Sequence, residues 1–105
     1  MLKSKIYFEV EDYCRGLLTE KLSKALCFHN LSHTEMVVNA AYEISQEMRL
    51  RADDVEIVVI AAWFHDTGFI RAYNGHEEES CSIAARFLLQ NKYDLSKTER
   101  ILKYK

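Results

Sequence analysis

The feature that most constrains the fold of this chain is its lack of residues that interrupt helices. The 105 residues include no proline and only three glycines, Gly16, Gly68 and Gly75. Apolar residues recur every three or four positions rather than alternating, which is the period of an amphipathic helix. The sequence therefore predicts an all-α fold with about five helices. Its length suits one domain, residues 1–105.

Two long helices are predicted in the N-terminal half. The first spans residues 4–25, and its inward stripe is Ile6, Val10, Tyr13, Cys14, Leu17, Leu18 and Leu22. The second begins near Asn30 or Ser32, since either residue can cap a helix, and continues to about Met48. Its predicted inward residues are Met36, Val37, Ala40, Ala41 and Ile44.

A third helix is predicted to be mostly buried. Asp53 with Glu56 has the spacing of a capping box at its start, and the helix ends at His65-Asp66, before Thr67. Its interior is the apolar run 55–64. Such a run predicts a helix that carries its last residues into the core.

Capping-box patterns predict two further helices. Asn74 with Glu77 starts a fourth helix, after a loop over residues 67–75, with Ile83, Ala84, Phe87 and Leu88 facing inward. Ser96 with Glu99 starts a fifth, which has few residues left before the sequence ends. We therefore expect a bundle truncated at its C-terminus.

Charge and cysteine content narrow the possible partners and compartments. The chain has 14 Lys and Arg residues and 16 Asp and Glu residues, and the resulting net charge of −2 makes nucleic acid an unlikely ligand. Cys14, Cys27 and Cys81 form no CxxC pair, which fits reduced thiols in the cytoplasm. No signal-peptide pattern precedes the first acidic residues, and the apolar run 57–64 is too short to span a bilayer. We expect a cytoplasmic protein with no membrane partner.

The strongest chemical signal is the adjacent pair His65-Asp66. A charged Asp at the inner end of an apolar run is costly to bury unless it is paired or bound to a metal. Imidazole and carboxylate ligands suit a divalent ion such as Mn, Fe, Co, Ni, Zn or Mg, whose usual task is hydrolysis of a phosphate ester. The alternative is an Asp that accepts hydrogen bonds from neighbouring backbone amides.

Three other histidines are weaker candidates. His29 and His33 are four residues apart, so on a helix they share one face and can address one site. Helix capping and core hydrogen bonding are the alternative for both. His76 lies in the first turn of the predicted fourth helix, where backbone N–H groups favour an anion such as phosphate. It is equally well explained as an exposed first-turn histidine.

Three segments of the chain carry a resemblance to a known family. They are residues 30–38 (NLSHTEMVV), 61–68 (AAWFHDTG) and 76–80 (HEEES). Together they resemble the HD superfamily of metal-dependent phosphohydrolases. The resemblance implies a helical bundle around a divalent metal bound by His33, His65 and Asp66, with activity toward a nucleotide or another phosphate ester.

The segment from His29 to His33 also resembles the His-Asn-x-x-His segment of the related cyclic nucleotide phosphodiesterases. This resemblance implies that His29 is the acid that protonates the leaving group. In the implied mechanism Asp66 orients or deprotonates the attacking water, and His76 holds the phosphate or a second metal. A histidine one turn from a metal ligand can reach the departing oxygen.

The chain departs from the family pattern at one position. The family has a final metal-binding Asp well downstream of the His-Asp pair, whereas Asp94, the only Asp after Asp66, lies between two predicted helices and is not assigned. Three hypotheses follow. The first is that the chain is a phosphohydrolase. The second is a catalytically impaired truncated domain that binds a ligand or partner, and the third is a plain helical interaction module. Truncation would uncover apolar surface, so we expect a homo-oligomer.

Overall fold

The computed structural model describes residues 4–20, 24–70 and 76–103, and these residues are almost all helical. The five α-helices are α1 (Lys5–Glu20), α2 (Lys24–Glu47), α3 (Ala52–Phe64), α4 (His76–Gln90) and α5 (Leu95–Lys103), with a short 3₁₀ helix at Thr67–Ile70 between α3 and α4. Within these ranges there is no β-strand. The predicted all-α bundle of about five helices is confirmed.

Helix α3 is the centre of the bundle, and each of the other four helices packs against it. Its buried residues are Val55, Ile57, Val59, Ile60, Ala61, Ala62, Trp63 and Phe64. A helix that is apolar on all sides is stable only when it is surrounded, and each fully buried large side chain contributes about 1.5–3 kcal/mol. The prediction of a mostly buried third helix is confirmed, and its end is held firmly in the core.

The boundary between the first two helices differs from the prediction. Helix α1 ends at Glu20 and α2 begins at Lys24, so Asn30 and Ser32 lie inside α2 and cap nothing. The residues Lys24, Ala25 and Leu26 favour a helix intrinsically, and they extend it upstream of the two apparent caps. His29 and His33 are consequently interior residues of α2 rather than residues at its entrance.

The inward face of α2 is also rotated from the predicted one. Met36 and Ile44 were predicted to face inward but are 62% and 55% exposed, and Ala40 is exposed as well. The buried positions are taken by Thr34, Val38 and Ser45. Two of these are polar, and Ser45 satisfies its hydroxyl by donating to the Ala41 carbonyl at 2.7 Å. Val37 and Ala41 are partly buried against the core as predicted, so the hydrophobic pattern indicated part of the inward face and missed its hydroxyl residues.

Both predicted capping boxes in the described residues are wrong. Arg51 is the N-cap of α3 without any side-chain capping bond, and Glu56 instead accepts a hydrogen bond from the Tyr93 hydroxyl at 2.7 Å. At α5 the cap is Asp94, whose Oδ1 accepts from the Lys97 N–H at 2.8 Å. Asn74 lies outside the described residues.

Two helices are followed by a residue in the left-handed conformation that glycine prefers, although neither residue is a glycine. Arg49 and Lys92 have φ values of 55° and 56°. After α4, the Lys92 N–H donates to Leu89 at 3.1 Å and the Tyr93 N–H donates to Leu88 at 3.0 Å. This is the Schellman arrangement, which satisfies the last carbonyls of a helix.

The structure describes the side chains of two cysteines, Cys14 and Cys81. Cys14 is buried in the core, and this burial raises the pKa of its thiol well above the ordinary value. Cys81 is partly buried, and neither forms a disulfide. The Cys27 side chain lies outside the described part. Among the helices in that part, none combines the length and apolarity that a membrane span needs.

Candidate metal centre

The candidate site forms where the chain leaves α3. His65 is the C-cap of this helix and keeps a helical conformation, with its N–H directed to the Ala62 carbonyl at 3.4 Å. Asp66 follows in a turn, and the 3₁₀ helix begins at Thr67. The His65 and Asp66 side chains are 20% and 13% exposed, so both lie largely under the surface. Their position at the end of a buried helix is the one the sequence predicted.

The third residue of the site comes from the middle of α2. The His33 Nε2 lies 3.6 Å from the Asp66 Oδ2, and the His65 Nε2 lies 2.9 Å from the same oxygen. The two imidazole rings have centroids 5.5 Å apart. One ligand atom from each residue lies within 4.8 Å of the other two. The fold thus brings together the three residues that the sequence suggested as metal ligands.

The spacing of these atoms fits a divalent metal. Two ligand atoms that are each about 2.1 Å from a tetrahedral ion are separated by roughly 3.4 Å. The separations of 2.9 Å and 3.6 Å at Asp66 lie on either side of that value. His33 is 49% exposed, which leaves one side of the cluster open to water or a substrate. Two nitrogens and one oxygen form a donor set that several first-row ions accept.

A hydrogen bond to the backbone fixes the orientation of the His65 ring. Its Nδ1 lies 2.7 Å from the Ala62 carbonyl oxygen, which can only accept, so Nδ1 carries the proton and donates. The other nitrogen, Nε2, is then the one directed at Asp66. Metal-binding histidines are commonly held in this way, with one ring nitrogen on a carbonyl and the other on the ion.

His65 also binds a proton more tightly than an ordinary histidine does. Burial acts to lower its pKa, but the hydrogen bonds with Asp66 and Ala62 and the negative charge of Asp66 outweigh burial and raise the pKa above 6.5. In the metal-free protein, the protonated form of His65, with Nε2 directed at Asp66, is therefore favoured more than in an ordinary histidine. An ion has to displace that proton, so metal binding is expected to weaken as the pH falls.

The turn that carries the ligands is held by a residue for which no role was predicted from the sequence. Ser80 on α4 is 5% exposed, and its Oγ accepts from the Gly68 N–H at 2.8 Å and donates to the His65 carbonyl at 3.0 Å. The Thr67 hydroxyl donates to the Phe64 carbonyl at 2.8 Å. Ser80 belongs to the segment HEEES, so the sequence resemblance included it, but its contact across 15 positions depends on how α4 packs.

The remaining candidate residues stay predictions. His29 lies one turn before His33 in α2, and His76 is the first residue of α4, but both side chains are outside the described part. Asp94 is exposed and caps α5, which agrees with leaving it unassigned. In the described ranges, no second group of three His, Cys, Asp or Glu residues comes close enough to hold an ion.

Comparison with known proteins gives a family for most of the chain. The family model described as "HD domain" matches residues 30–104. The match includes all three clustered residues and Ser80, and it begins one residue after His29. Neither the curated proteins nor the solved structures contain a match to this chain.

Proposed function

The chain belongs to the HD domain family, and from this membership and the clustered His33, His65 and Asp66 we propose that it is a metal-dependent phosphohydrolase. Members of this family are generally hydrolytic. The observation that carries the proposal is the approach of three ligand atoms, one from α2 and two from the turn that ends α3, to within 4.8 Å of one another. The substrate we propose is a nucleotide or another phosphate ester.

In this proposal His33, His65 and Asp66 hold the divalent ion. When bound, such an ion polarises a phosphoryl oxygen and lowers the pKa of a coordinated water. His65 is oriented by its bond to the Ala62 carbonyl, so its Nε2 is available as a ligand without a change of ring position. Asp66 is proposed both to bind the ion and to orient the attacking water. The exposed side of His33 is where substrate would approach.

Two further histidines are proposed to act on the substrate. His29 precedes His33 by one turn of α2, and residues four apart on a helix lie on the same face. We propose that it protonates the leaving oxygen, a role that typically contributes roughly 10²–10⁴-fold to the rate. His76 begins α4, where the helix dipole and the exposed N–H groups favour phosphate. We propose that it holds the phosphate or a second ion.

One observation favours a second candidate function. Among the described residues the cluster has a single carboxylate, and Asp94 is occupied in capping α5. A site with one carboxylate fewer binds its ion more weakly. The second candidate is therefore a catalytically impaired domain that keeps the fold, binds a ligand or a partner, and does not turn it over.

The exposed face of α2 supports self-association in either case. Met36, Ile44 and Met48 are 62%, 55% and 64% exposed. Met36 and Ile44 lie eight residues apart on α2, and Met48 follows directly after the helix, four residues beyond Ile44. Contiguous exposed apolar surface commonly becomes an interface. We propose that the chain forms a homodimer or a higher homo-oligomer through this α2 face.

Measurement of phosphate release tests the proposed activity. The parent protein would be loaded with Mn, Co, Ni, Zn or Mg and incubated with nucleoside monophosphates, cyclic nucleotides, dinucleotides and an aryl phosphate. We expect release that requires metal, is abolished by a chelator and by Asp66→Asn, and survives Glu43→Gln, which changes an exposed carboxylate of α2. Metal-loaded parent protein that releases no phosphate from any ester would favour the second candidate.

A further inference from the structure

The Ser80 hydroxyl links α4 by hydrogen bonds to the turn that carries the metal ligands. Its oxygen accepts from the Gly68 N–H at 2.8 Å and donates to the His65 carbonyl at 3.0 Å. The side chain is almost fully buried, at 5% exposure. Water therefore competes little for either bond, and both bonds have well-defined geometry.

The two backbone groups that Ser80 bonds lie on either side of Asp66 in the sequence. The His65 carbonyl belongs to the peptide that joins His65 to Asp66, and the Gly68 N–H lies two residues after Asp66. Anchoring both groups to one atom restricts the backbone rotations on each side of Asp66. Those rotations set the direction of the carboxylate that lies 2.9 Å and 3.6 Å from the two imidazoles.

The turn needs a partner of this kind because it follows the end of a helix. The last carbonyls of an α-helix have no partners within the helix, and a buried carbonyl without a partner costs free energy. A hydroxyl is the small side chain that can donate and accept at once. An alanine at this position would remove the hydroxyl that bonds to both the His65 carbonyl and the Gly68 N–H.

The other restraints on the turn act on different atoms. The Thr67 hydroxyl bonds to the Phe64 carbonyl within the turn itself, and the Ala62 carbonyl orients the His65 ring. Neither reaches α4. Within the described residues, the Ser80 hydroxyl thus ties α4, the helix that begins at His76, to the backbone of the ligands by hydrogen bonds.

From this geometry we infer that Ser80 is a positioning residue of the metal centre, holding the Asp66 carboxylate in the direction that metal binding requires. The inference rests on the proposed metal site. It assigns Ser80 no contact with the ion or the substrate. Supporting groups of this class typically change metal affinity by about 10–100-fold when they are removed.

The test is titration of the metal-free protein with Co²⁺, followed by visible absorption. In Ser80→Ala we expect the Co²⁺ affinity to fall by about 10–100-fold and the visible spectrum to change, because the carboxylate is no longer fixed. Ser80→Thr keeps the hydroxyl, and a cavity of about 30 Å³ lined in part by Ser80 and His65 can take part of the added methyl group. We expect this variant to bind Co²⁺ as the parent does.

A matched control comes from the same helix. Ser82 is exposed on α4, and Ser82→Ala should leave both affinity and spectrum unchanged. A serine with a purely structural role would lower the urea midpoint of Ser80→Ala without changing either Co²⁺ readout in the folded protein. That result would overturn the inference and leave the proposed function standing.

Amide hydrogen exchange of Gly68 in the metal-free protein distinguishes failure of the Ser80 inference from failure of the proposed function. We expect this amide to exchange faster in Ser80→Ala and at the parent rate in Ser80→Thr, whether or not an ion binds. If the parent binds no Co²⁺, the proposed function fails, and with it the metal-positioning role of Ser80, even if the exchange data confirm that Ser80 holds the turn. Unchanged Gly68 exchange in Ser80→Ala would overturn the inference outright.

Discussion

At the scale of single residues, the raised pKa of His65 gives the metal-free protein a definite pH dependence. A group whose pKa is raised on folding stabilises the protein fully below its unfolded pKa, about 6.5 for His, and that stability is lost as the pH rises through the folded value. The pKa of His65 is raised by its bonds to Asp66 and Ala62 and by the charge of Asp66, which outweigh burial. We therefore expect the urea midpoint of metal-free protein to fall as the pH rises above about 6.5.

The variants His65→Gln and Asp66→Asn test this dependence. The first removes the titrating group, and the second removes the acceptor and charge that raise its pKa. We expect both to flatten the fall of the urea midpoint in that pH window. A fall of the same size in His65→Gln would show that another group is responsible.

A buried threonine beside the site offers a stabilising substitution. Thr34 is fully buried, and among the residues that the structure describes its Oγ1 has no hydrogen-bond partner. An unsatisfied buried polar group costs about 1–3 kcal/mol, and valine has nearly the same shape without it. We expect Thr34→Val to raise the free energy of unfolding by about 1 kcal/mol, measured by urea denaturation.

Thr67 provides the matched contrast to Thr34. It is also fully buried, but its hydroxyl donates to the Phe64 carbonyl. Thr67→Val should therefore destabilise the protein by about 1 kcal/mol. Equal effects of the two substitutions would contradict the account, because within the described residues only the Thr67 hydroxyl has a partner.

At the scale of secondary structure, the end of α4 carries backbone strain that glycine would relieve. Lys92 has a φ of 56°, in the left-handed region where a side chain costs about 1–2 kcal/mol. Replacing Lys92 by glycine would remove this cost, but part of the stabilisation is offset by the greater freedom of glycine in the unfolded chain. We expect Lys92→Gly to raise the free energy of unfolding by up to about 1 kcal/mol in urea denaturation.

Lys92→Ala is the control for this effect. It removes the same charged side chain but keeps the Cβ, so it should not stabilise. If alanine stabilised as much as glycine, the cause would be the loss of the lysine side chain rather than relief of the φ angle.

The helices also show which structural features the sequence could predict. Helix α3 was predicted well because its long apolar run has only one stable location, the centre of a bundle. The start of α2 was missed because Asn30 and Ser32 resemble caps, whereas the residues before them favour a helix. Its inward face was predicted only in part, because Thr34 and Ser45 are buried although they carry hydroxyl groups.

The candidate site was predictable to a similar degree. His65 and Asp66 are adjacent at the end of the apolar run, and His33 completes a pattern shared with a known family. Ser80 was not assigned a role, since its two bonds exist only once α4 packs against the turn. Asp94 shows the converse, because its local role as a cap explains its position without any part in the site.

At the scale of the whole molecule, the exposed α2 face makes assembly testable. We expect light scattering after size-exclusion chromatography to show a dimer or a larger oligomer, since apolar side chains such as Ile44 would be buried between copies. Ile44→Glu should shift the protein toward monomer. Leu95→Glu, which changes a 68% exposed residue on α5, should not. A parent protein that stays monomeric at high concentration would contradict this proposal.

The central claim is that His33, His65 and Asp66 form a metal centre, and metal content tests it most directly. Inductively coupled plasma mass spectrometry would be applied to the purified parent, to the alanine variant of each ligand, and to Glu43→Ala as a control on the exposed side of α2. The account predicts close to one divalent ion per chain in the parent and the control, and a large loss in all three ligand variants. A parent that holds no ion after incubation with Mn, Fe, Ni or Zn, or ligand variants that keep it, would contradict the claim.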